Sequence, residues 1–347
     1  MSTYRLRSTL ARFLAVAAFG LGLSGVASAA EVTATLRYGI DDEQNINRLP
    51  QVIAEREGFF AREGLKVQII PYTVSFRTQA TGQNPAAAKP PSLRDGMAKG
   101  DIDMSRQQFP LLVNDVMAGG KSVGVAITVG NPIYYLVARP EIKSFADLKG
   151  KTVTITNLTD GITIWTRKLM AQHGLKNEDV TLKTIAGSDG RLVCLKSGDC
   201  AAASLAQPAV FGALEAGYHT LGITNEIGPQ LYQVDIVNPT WAAAHRDIVV
   251  KYIRATAAAM RFIQDPKNRD EVVKVTMAFM KEPENRAKEM VASITDPKNR
   301  GLPQQPALDM NGIKAAISLM GEYNVLKQPL PMPERFVDPS YAKAAGQ

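Results

Sequence analysis

The sequence predicts an α/β protein with two lobes and a helical C-terminal region. Up to about residue 240, short segments that are apolar or that alternate between apolar and polar residues are separated by longer amphipathic stretches. This pattern is typical of strands joined by crossover helices. From about Trp241 onwards, helical patterns follow one another and are separated by Asp-Pro or Glu-Pro pairs. The 347 residues are more than one compact core usually takes, and they suffice for two lobes of roughly 100 to 200 residues each.

Short runs rich in apolar and β-branched residues predict the strands of this pattern. They fall at residues 33–39, 66–71, 122–129, 134–138, 152–155, 180–184 and 201–205. Helices are predicted at 49–63, 91–99 and 162–173, the last two ending at Gly100 and Gly174. A polar, Pro-rich loop at 83–91 leads into the second helix and is unusually long.

The first residues predict a signal peptide at 1–29. Three arginines, at positions 5, 7 and 12, precede an apolar run at 13–26 and the small residues Ala27, Ser28 and Ala29. The apolar run is shorter than the roughly 20 residues that span a bilayer, so a membrane anchor is the weaker alternative. We therefore expect cleavage after Ala29 or Ala30, no membrane insertion of the mature chain, and a location in the periplasm.

The charge pattern argues against a nucleic-acid partner. The chain has 40 basic and 33 acidic residues, a net charge of +7, and the signal peptide accounts for three of the arginines, leaving about +4. These charges are interspersed, without the basic cluster or aromatic-basic stripe that a nucleic-acid surface requires. The mild excess of cations fits an ordinary solvated surface and also suits an anionic ligand.

Two cysteines, Cys194 and Cys200, are the only ones in the chain. An exported chain meets an oxidising compartment, so we expect a local disulfide, with two buried free thiols as the alternative. Two cysteines make half a zinc site, and the three histidines are not spaced as ligands. We therefore expect no metal and no cofactor.

Five local phrases follow one another along the chain. They are EGFF and EGLKV within 57–67, Gly96 with GDID at 100–103, IKSFADLKGK at 142–151, HGL and EDV within 173–180, and GD and QP within 198–208. The phrase DLKGK before a strand is the most specific of them. With these phrases the chain resembles the periplasmic binding proteins for nitrate, taurine and aliphatic sulfonates, a group that also includes binders of thiamine precursors.

The resemblance implies the type II periplasmic-binding-protein fold, in which the chain begins in lobe one, crosses to lobe two and returns. It places lobe one at 31–132 plus 233–347 and lobe two at 133–232. It also implies a small-molecule ligand held in the cleft between the lobes, and an ABC permease with its ATPase as partners. We expect the protein to be a monomer.

Ligands of open α/β sheets bind beyond the carboxyl ends of the strands, where helix N-termini favour anions. This rule selects the loops that follow the strand at 33–39, the GDID phrase, and the strands at 152–155 and 201–205. We add Tyr134 at the expected crossing between the lobes. The residues expected to contact a ligand are Asn45, Ser105, Arg106, Gln107, Tyr134, Asn157, Thr159, Asp160, Gly161, Thr163 and Gln207.

The segment 159–163 is the strongest of these candidates. Thr159 or Asp160 can cap the following helix, Gly161 permits close backbone approach and Thr163 adds a hydroxyl, so the segment could cradle an oxyanion. Ordinary helix capping without a ligand is the alternative.

Arg106 and Tyr134 each allow two interpretations. The Arg106 guanidinium could bind a carboxylate or sulfonate in bidentate fashion, or it could form a salt bridge. The Tyr134 ring could stack on a ligand ring, or it could pack at the hinge. The acidic residues at 41–43 do not suit an anion and leave cationic or neutral heteroaromatic ligands open.

The sequence lacks the local motifs of hydrolases, nucleotide-binding enzymes and zinc proteases. The missing motifs favour a binder over an enzyme, and the resemblance implies a protein that captures a solute for an ABC importer. The expected ligand is a small anion or organic acid, such as a sulfonate, nitrate or an aromatic carboxylate. The alternatives are a periplasmic sensor subunit and an enzyme related to thiamine-pyrimidine synthesis.

Overall fold

The computed structural model describes residues 32–40, 44–72, 93–131 and 133–347. The predicted signal peptide, the acidic residues at 41–43 and the Pro-rich loop at 83–91 lie outside these ranges. The strands are β1 (Ala34–Ile40), β2 (Leu65–Pro71), β3 (Met104–Gln108), β4 (Val123–Val129), β5 (Tyr135–Ala138), β6 (Thr152–Ile155), β7 (Thr181–Thr184), β8 (Ala202–Leu205), β9 (His219–Ile223) and β10 (Gln233–Val237).

These strands form two sheets of five strands each, within the described residues. The first sheet has the order β2-β1-β3-β10-β4, and the second has the order β7-β6-β8-β5-β9. Each is mixed, because β10 runs antiparallel to β3 and β4, and β5 runs antiparallel to β8 and β9. The chain leaves the first sheet after β4 and returns to it with β10, so we propose the predicted lobes, 31–132 plus 233–347 and 133–232, as the two structural units.

Helices cover both sheets. They are α1 (Leu49–Arg56), α2 (Phe59–Arg62), α3 (Leu93–Lys99), α4 (Phe109–Met117), α5 (Gly161–Gln172), α6 (Ser188–Ser197), α7 (Ala209–Glu215), α8 (Pro239–Ala244), α9 (Arg246–Gln264), α10 (Arg269–Met280), α11 (Glu284–Thr295), α12 (Met310–Glu322) and α13 (Ser340–Ala344). In the part of the chain that the structure describes, no helix is long and apolar enough to cross a membrane. The predicted α/β class and the helical C-terminal region are confirmed.

Helix α9 shows why the C-terminal region is helical. Its side chains at Val249, Tyr252, Ile253, Met260 and Ile263 recur at helical spacing and are buried, so one face of the helix packs on the core. Each such apolar side chain contributes roughly 1.5 to 3 kcal/mol when fully buried. The helix packs against α1 and α2 and so covers one face of the first sheet.

Two local predictions were wrong. The segment 49–63 is two helices, because Gly58 adopts a left-handed conformation with φ of 70° and turns the chain between them. Ser105, Arg106 and Gln107 were expected in a loop after the GDID phrase, yet they lie inside β3. This polar strand forms because β1 and β10 flank it and satisfy its backbone groups.

The predicted disulfide is present between Cys194 and Cys200, whose Cα atoms are 5.5 Å apart. Both cysteines are buried, and the Cys200 amide donates a 3.3 Å hydrogen bond to the Cys194 carbonyl. Gly198, with φ of 87°, ends α6 between them. The bridge therefore ties the end of α6 to the segment that enters β8.

Replacing Cys194 and Cys200 with alanine together should lower the free energy of unfolding by about 2 kcal/mol, the value expected for closing so short a loop. Urea titration of the double variant against the oxidised wild type measures this. The wild type kept in a reducing agent is the matched control, and it should unfold at the same urea concentration as the double variant. Equal midpoints for the oxidised wild type and the double variant would contradict the prediction.

Candidate functional site

A cavity of about 440 Å³ lies between the two sheets, within the usual range for small-molecule sites. Lobe one lines it with residues that follow β1 and with the end of β3. Lobe two lines it with residues that follow β6, β7 and β8, and residues at the two crossings between the lobes line it as well. The carboxyl ends of parallel strands from both sheets therefore meet at this cavity, as the strand-end rule predicts.

Seven of the predicted site residues line the cavity: Asn45, Arg106, Gln107, Tyr134, Asn157, Asp160 and Gln207. Four do not: Ser105, Thr159, Gly161 and Thr163. Ser105 and Thr163 are fully buried, and the Ser105 hydroxyl donates a 3.0 Å hydrogen bond to the Gly39 carbonyl inside the sheet. Contact of these eleven residues with a ligand stays a prediction.

The N-terminus of α5 makes its hydrogen bonds within the protein. Asp160 is the N-cap, and its Oδ1 accepts a 2.9 Å bond from the Thr163 amide. The Gly161 amide donates a 3.1 Å bond to Oε1 of Gln108, a residue of lobe one. In this conformation an oxyanion would therefore have to displace Gln108 to reach the helix N-terminus.

Asp160 places a buried carboxyl on the lobe-two wall. Burial raises the pKa of this carboxyl, while the bond from the Thr163 amide and the positive charge of Arg191 lower it again. The balance leaves its pKa above the usual range for aspartate. The Asp160 carboxyl therefore ionises less readily than an exposed aspartate does.

Arg191, which the sequence did not single out, organises the lobe-two wall. It lies in the first turns of α6 and is 2% exposed, although it lines the cavity. Its Nε donates to the Ser204 carbonyl at 2.6 Å, and Nη1 donates to the Ile185 carbonyl at 3.0 Å. Further bonds reach the hydroxyls of Thr156 at 3.2 Å and Ser188 at 3.1 Å. One guanidinium therefore holds β8 and the segments after β6 and β7 together.

Arg106 is the corresponding cation of lobe one. It is 7% exposed and lines the cavity, and its Nη1 donates a 2.6 Å hydrogen bond to the Asn47 carbonyl in the loop after β1. This bond holds the guanidinium at the carboxyl end of the sheet. An arginine in such a position has further N–H groups with which it can bind a planar anion.

A buried polar network adjoins Arg106 inside lobe one. Asp235 lies opposite Arg106 in the β10–β3 pair, and its Oδ1 accepts a 2.5 Å bond from the Tyr38 hydroxyl. The Tyr38 ring stacks on Tyr252 at 5.5 Å, and Gln51 donates a 2.6 Å bond to the Tyr252 hydroxyl. Burial raises the pKa of Asp235 to about 7, against the opposing effects of the Tyr38 bond and the Arg106 charge.

The remaining polar lining is dominated by amide side chains, which can donate or accept hydrogen bonds. They are Gln44, Asn45, Asn47, Gln107, Gln108, Asn131, Asn157, Gln207 and Gln233. Tyr134 and Tyr232 form an aromatic edge at the crossings, with ring centroids 6.3 Å apart and hydroxyl oxygens 3.2 Å apart. Trp165 packs edge-on against Tyr232 at 5.3 Å behind this wall.

The two lobes are in contact around the cavity. Ile162, Ile164 and Trp165 of α5 are buried and belong to the same apolar cluster as Phe109 and Leu112 of lobe one. On the same side, Lys168 forms a 2.9 Å ion pair with Glu322. On the other side, Arg286 of α11 forms an ion pair with Glu215 of α7. These contacts therefore join the proposed lobes at more than one place near the cavity.

Among the described residues, no group of three or more His, Cys, Asp or Glu side chains is placed so that it could hold a metal ion. The described lining residues also include no histidine and no cysteine. Among the described residues, the acidic and basic groups that line the cavity are Arg94, Arg106, Asp160, Asp189 and Arg191.

Residues 45–269 match the model of the family described as NMT1/THI5 like. A putative thiamine biosynthesis protein of Haemophilus influenzae is 30% identical over 139 residues, which are 39% of this chain and 38% of that protein. The match therefore spans well under half the length of this curated relative.

Solved structures share the fold over most of the chain. The periplasmic nitrate-binding protein of Synechocystis PCC 6803 superposes with a TM-score of 0.73 at 15% identity, covering 92% of this chain and 89% of that one. The aliphatic sulphonate binding protein of Escherichia coli gives 0.64 at 16% identity, covering 88% and 92%. The desulfurization enzyme DSZB gives 0.60 at 16% identity, covering 90% and 98%. The resemblance and the two-lobe fold predicted from the sequence motifs are confirmed.

Proposed function

The chain belongs to the NMT1/THI5-like family, and from this premise we propose that it captures a small solute in the periplasm and delivers it to an ABC importer. The observation that carries the proposal is the cavity of about 440 Å³ between two lobes that already touch on both sides. A solute held there is enclosed by both lobes, which is how a two-lobed protein reports its loaded state to a membrane partner.

The proposed ligand is a small anion or organic acid, such as a sulfonate, nitrate or an aromatic carboxylate. Arg106 supports this class, because it is a nearly buried cation on the cavity wall with N–H groups that can donate to two oxygens of one anion. The amide side chains around it can orient the remaining polar atoms of such a ligand. The two tyrosines at the crossings offer an apolar surface to its organic part.

Hinge closure is the proposed mechanism. The solute binds one lobe of the open form, and the second lobe then completes the hydrogen bonds and excludes water. The bond between Gln108 and the Gly161 amide supports this sequence, since it joins lobe one to lobe two at the cavity. The closed form then docks on the permease.

Solute capture is favoured over catalysis by the state of the cysteines. The two cysteines are joined in a disulfide, so neither thiol is available as a nucleophile. A sensor subunit would use the same closure, and a neighbouring gene for a histidine kinase rather than a permease would favour it.

A thermal-shift screen of the mature protein tests the proposal. The panel holds sulfonates, nitrate, aromatic carboxylates, pyrimidines and amines. A selective rise in Tm with one anionic class is expected, because a ligand that binds only the folded state stabilises it by mass action. A rise with amines or neutral pyrimidines alone would contradict the anionic ligand. If nothing shifts, and mass spectrometry finds no solute released from the denatured protein, the capture proposal fails.

Replacing Arg106 with alanine should weaken binding of the anion found in that screen by about 2 to 5 kcal/mol, since it removes one partner of a desolvated charge pair. Calorimetric titration measures the change. Arg139→Ala is the matched control: it removes the same charge from the salt bridge with Glu141, away from the cavity lining, and should leave affinity unchanged. An unaltered affinity in Arg106→Ala would place Arg106 outside the ligand's reach.

A further inference from the structure

Next to the cavity wall, one buried carboxyl has an unusual environment. The Asp235 side chain is fully buried, and its Oδ1 accepts the bond from Tyr38. Its other oxygen, Oδ2, has no hydrogen-bond partner among the described residues. A buried carboxylate with an oxygen left unpaired is costly to ionise unless a nearby cation compensates it.

Arg106 is the cation that faces Asp235. It lies directly opposite in β3, while β4 contributes the uncharged Ala126 at the same level. The titratable groups from the other packed elements are Tyr38 of β1 and Tyr252 of α9, both of which are neutral well above pH 7. Helix α1 contributes Gln51, an amide. Arg106 is therefore the charged group among these that favours the ionised form of Asp235, alongside the hydroxyls of Tyr38 and Tyr252, while burial opposes ionisation.

Arg106 also lines the cavity, where an anion would meet it. Arg106 and Asp235 form no ion pair within 4.0 Å, and Nη1 of Arg106 is directed to the Asn47 carbonyl. The arginine therefore acts on Asp235 through space and remains available on the cavity side. Two negative groups, the carboxylate and a bound anion, would then compete for one positive charge.

We propose that Asp235 is the counter-charge of Arg106 in the ligand-free protein, and that an anion bound at Arg106 takes over this role while Asp235 takes up a proton. The inference rests on the proposed function and deepens it, because it assigns the anion site a second, positioning residue. One anion enters and one proton from solvent adds to the carboxylate, so the net charge of the site is conserved.

The direction of the pH dependence follows from this exchange. Burial already raises the pKa of Asp235 to about 7, and Arg106 is one of the groups that lower it. An anion at Arg106 weakens that lowering effect, so the pKa of Asp235 rises further on binding. Affinity should therefore be highest below pH 7 and should fall as the pH rises, because the proton becomes harder to supply.

Calorimetry with three probes tests the coupling: ethanesulfonate, nitrate and benzoate, all of which stay ionised between pH 6 and 8.5. Titrations in two buffers of different ionisation enthalpy count the protons exchanged. We expect the wild type to take up a sizeable fraction of one proton per anion near pH 7.5. We also expect its dissociation constant to rise about tenfold between pH 6 and 8.5, corresponding to a shift of about one pKa unit on binding.

Asp235→Asn removes the titrating group and should lose most of the proton uptake and of the pH dependence. Any contribution of Asp160 persists in this variant, so the comparison isolates Asp235. Tyr38→Phe is the second variant: it removes the donor to Oδ1, so the pKa of Asp235 rises and the loss of affinity should move to higher pH.

Two results would overturn the proposal, and they differ. Binding without proton uptake, with the same pH profile in wild type, Asp235→Asn and Tyr38→Phe, would remove the coupling and leave the anion site standing. Failure of all three probes to bind at any pH would remove the anion site and the coupling together.

Discussion

Replacing Arg191 with methionine should lower the free energy of unfolding by roughly 3 to 5 kcal/mol, the cost of leaving buried polar partners without their charged donor. The guanidinium donates to the carbonyls of Ser204 and Ile185 and to the hydroxyls of Thr156 and Ser188. Methionine fills much of the volume and satisfies none of these acceptors. Asp160 also loses the positive charge that favours its ionised form.

Urea unfolding measures the loss of stability, and two further variants serve as controls that show its cause. Arg191→Lys keeps the charge but not the planar set of donors, so its loss should be smaller. Arg139→Met is the surface control and should cost no more than about 1 kcal/mol, as expected for an exposed ion pair. If Arg191→Met were as stable as the surface control, the guanidinium would not be what holds the lobe-two segments together.

The second large effect concerns Asp235 and the pH dependence of stability. The folded protein holds the proton of Asp235 up to about pH 7, whereas the unfolded chain releases it near the ordinary value of 3.8. Between these values the folded state binds more protons, so the stability contributed by this group is present below about pH 4 and is lost as the pH rises towards 7. The total loss is roughly 4 kcal/mol.

Asp235→Asn should therefore unfold at nearly the same urea concentration as the wild type at pH 4.5 and become the more stable protein by pH 8. Measuring the difference in unfolding free energy across this range cancels the other carboxyl groups, which both proteins share. Parallel stability profiles would show that Asp235 ionises at an ordinary pH. This measurement needs no ligand, so it tests the buried carboxyl independently of the anion site.

Both effects involve residues whose importance the sequence could not reveal. The segment QVDIV at 233–237 was not among the predicted strands, yet it forms β10, and all five of its residues are buried because β10 lies between β3 and β4. Arg191 lies in the first turns of a short helix and directly follows the polar segment 188–190. Three of its four partners, Thr156, Ile185 and Ser204, come from different segments of the chain.

The sequence by itself determined the alternation of strands and helices, the helical C-terminal region, the disulfide pair and the strand ends from which Asn45, Asn157 and Gln207 reach the cavity. These features depend on local periodicity, on turn residues and on the spacing of two cysteines. Only the tertiary structure decided that Arg106 lies within a strand beside Asp235, and that Gln108 bonds to the Gly161 amide across the cleft. The physical reason is that burial and charge pairing depend on which distant segments meet, and those contacts leave no periodic signal in the sequence.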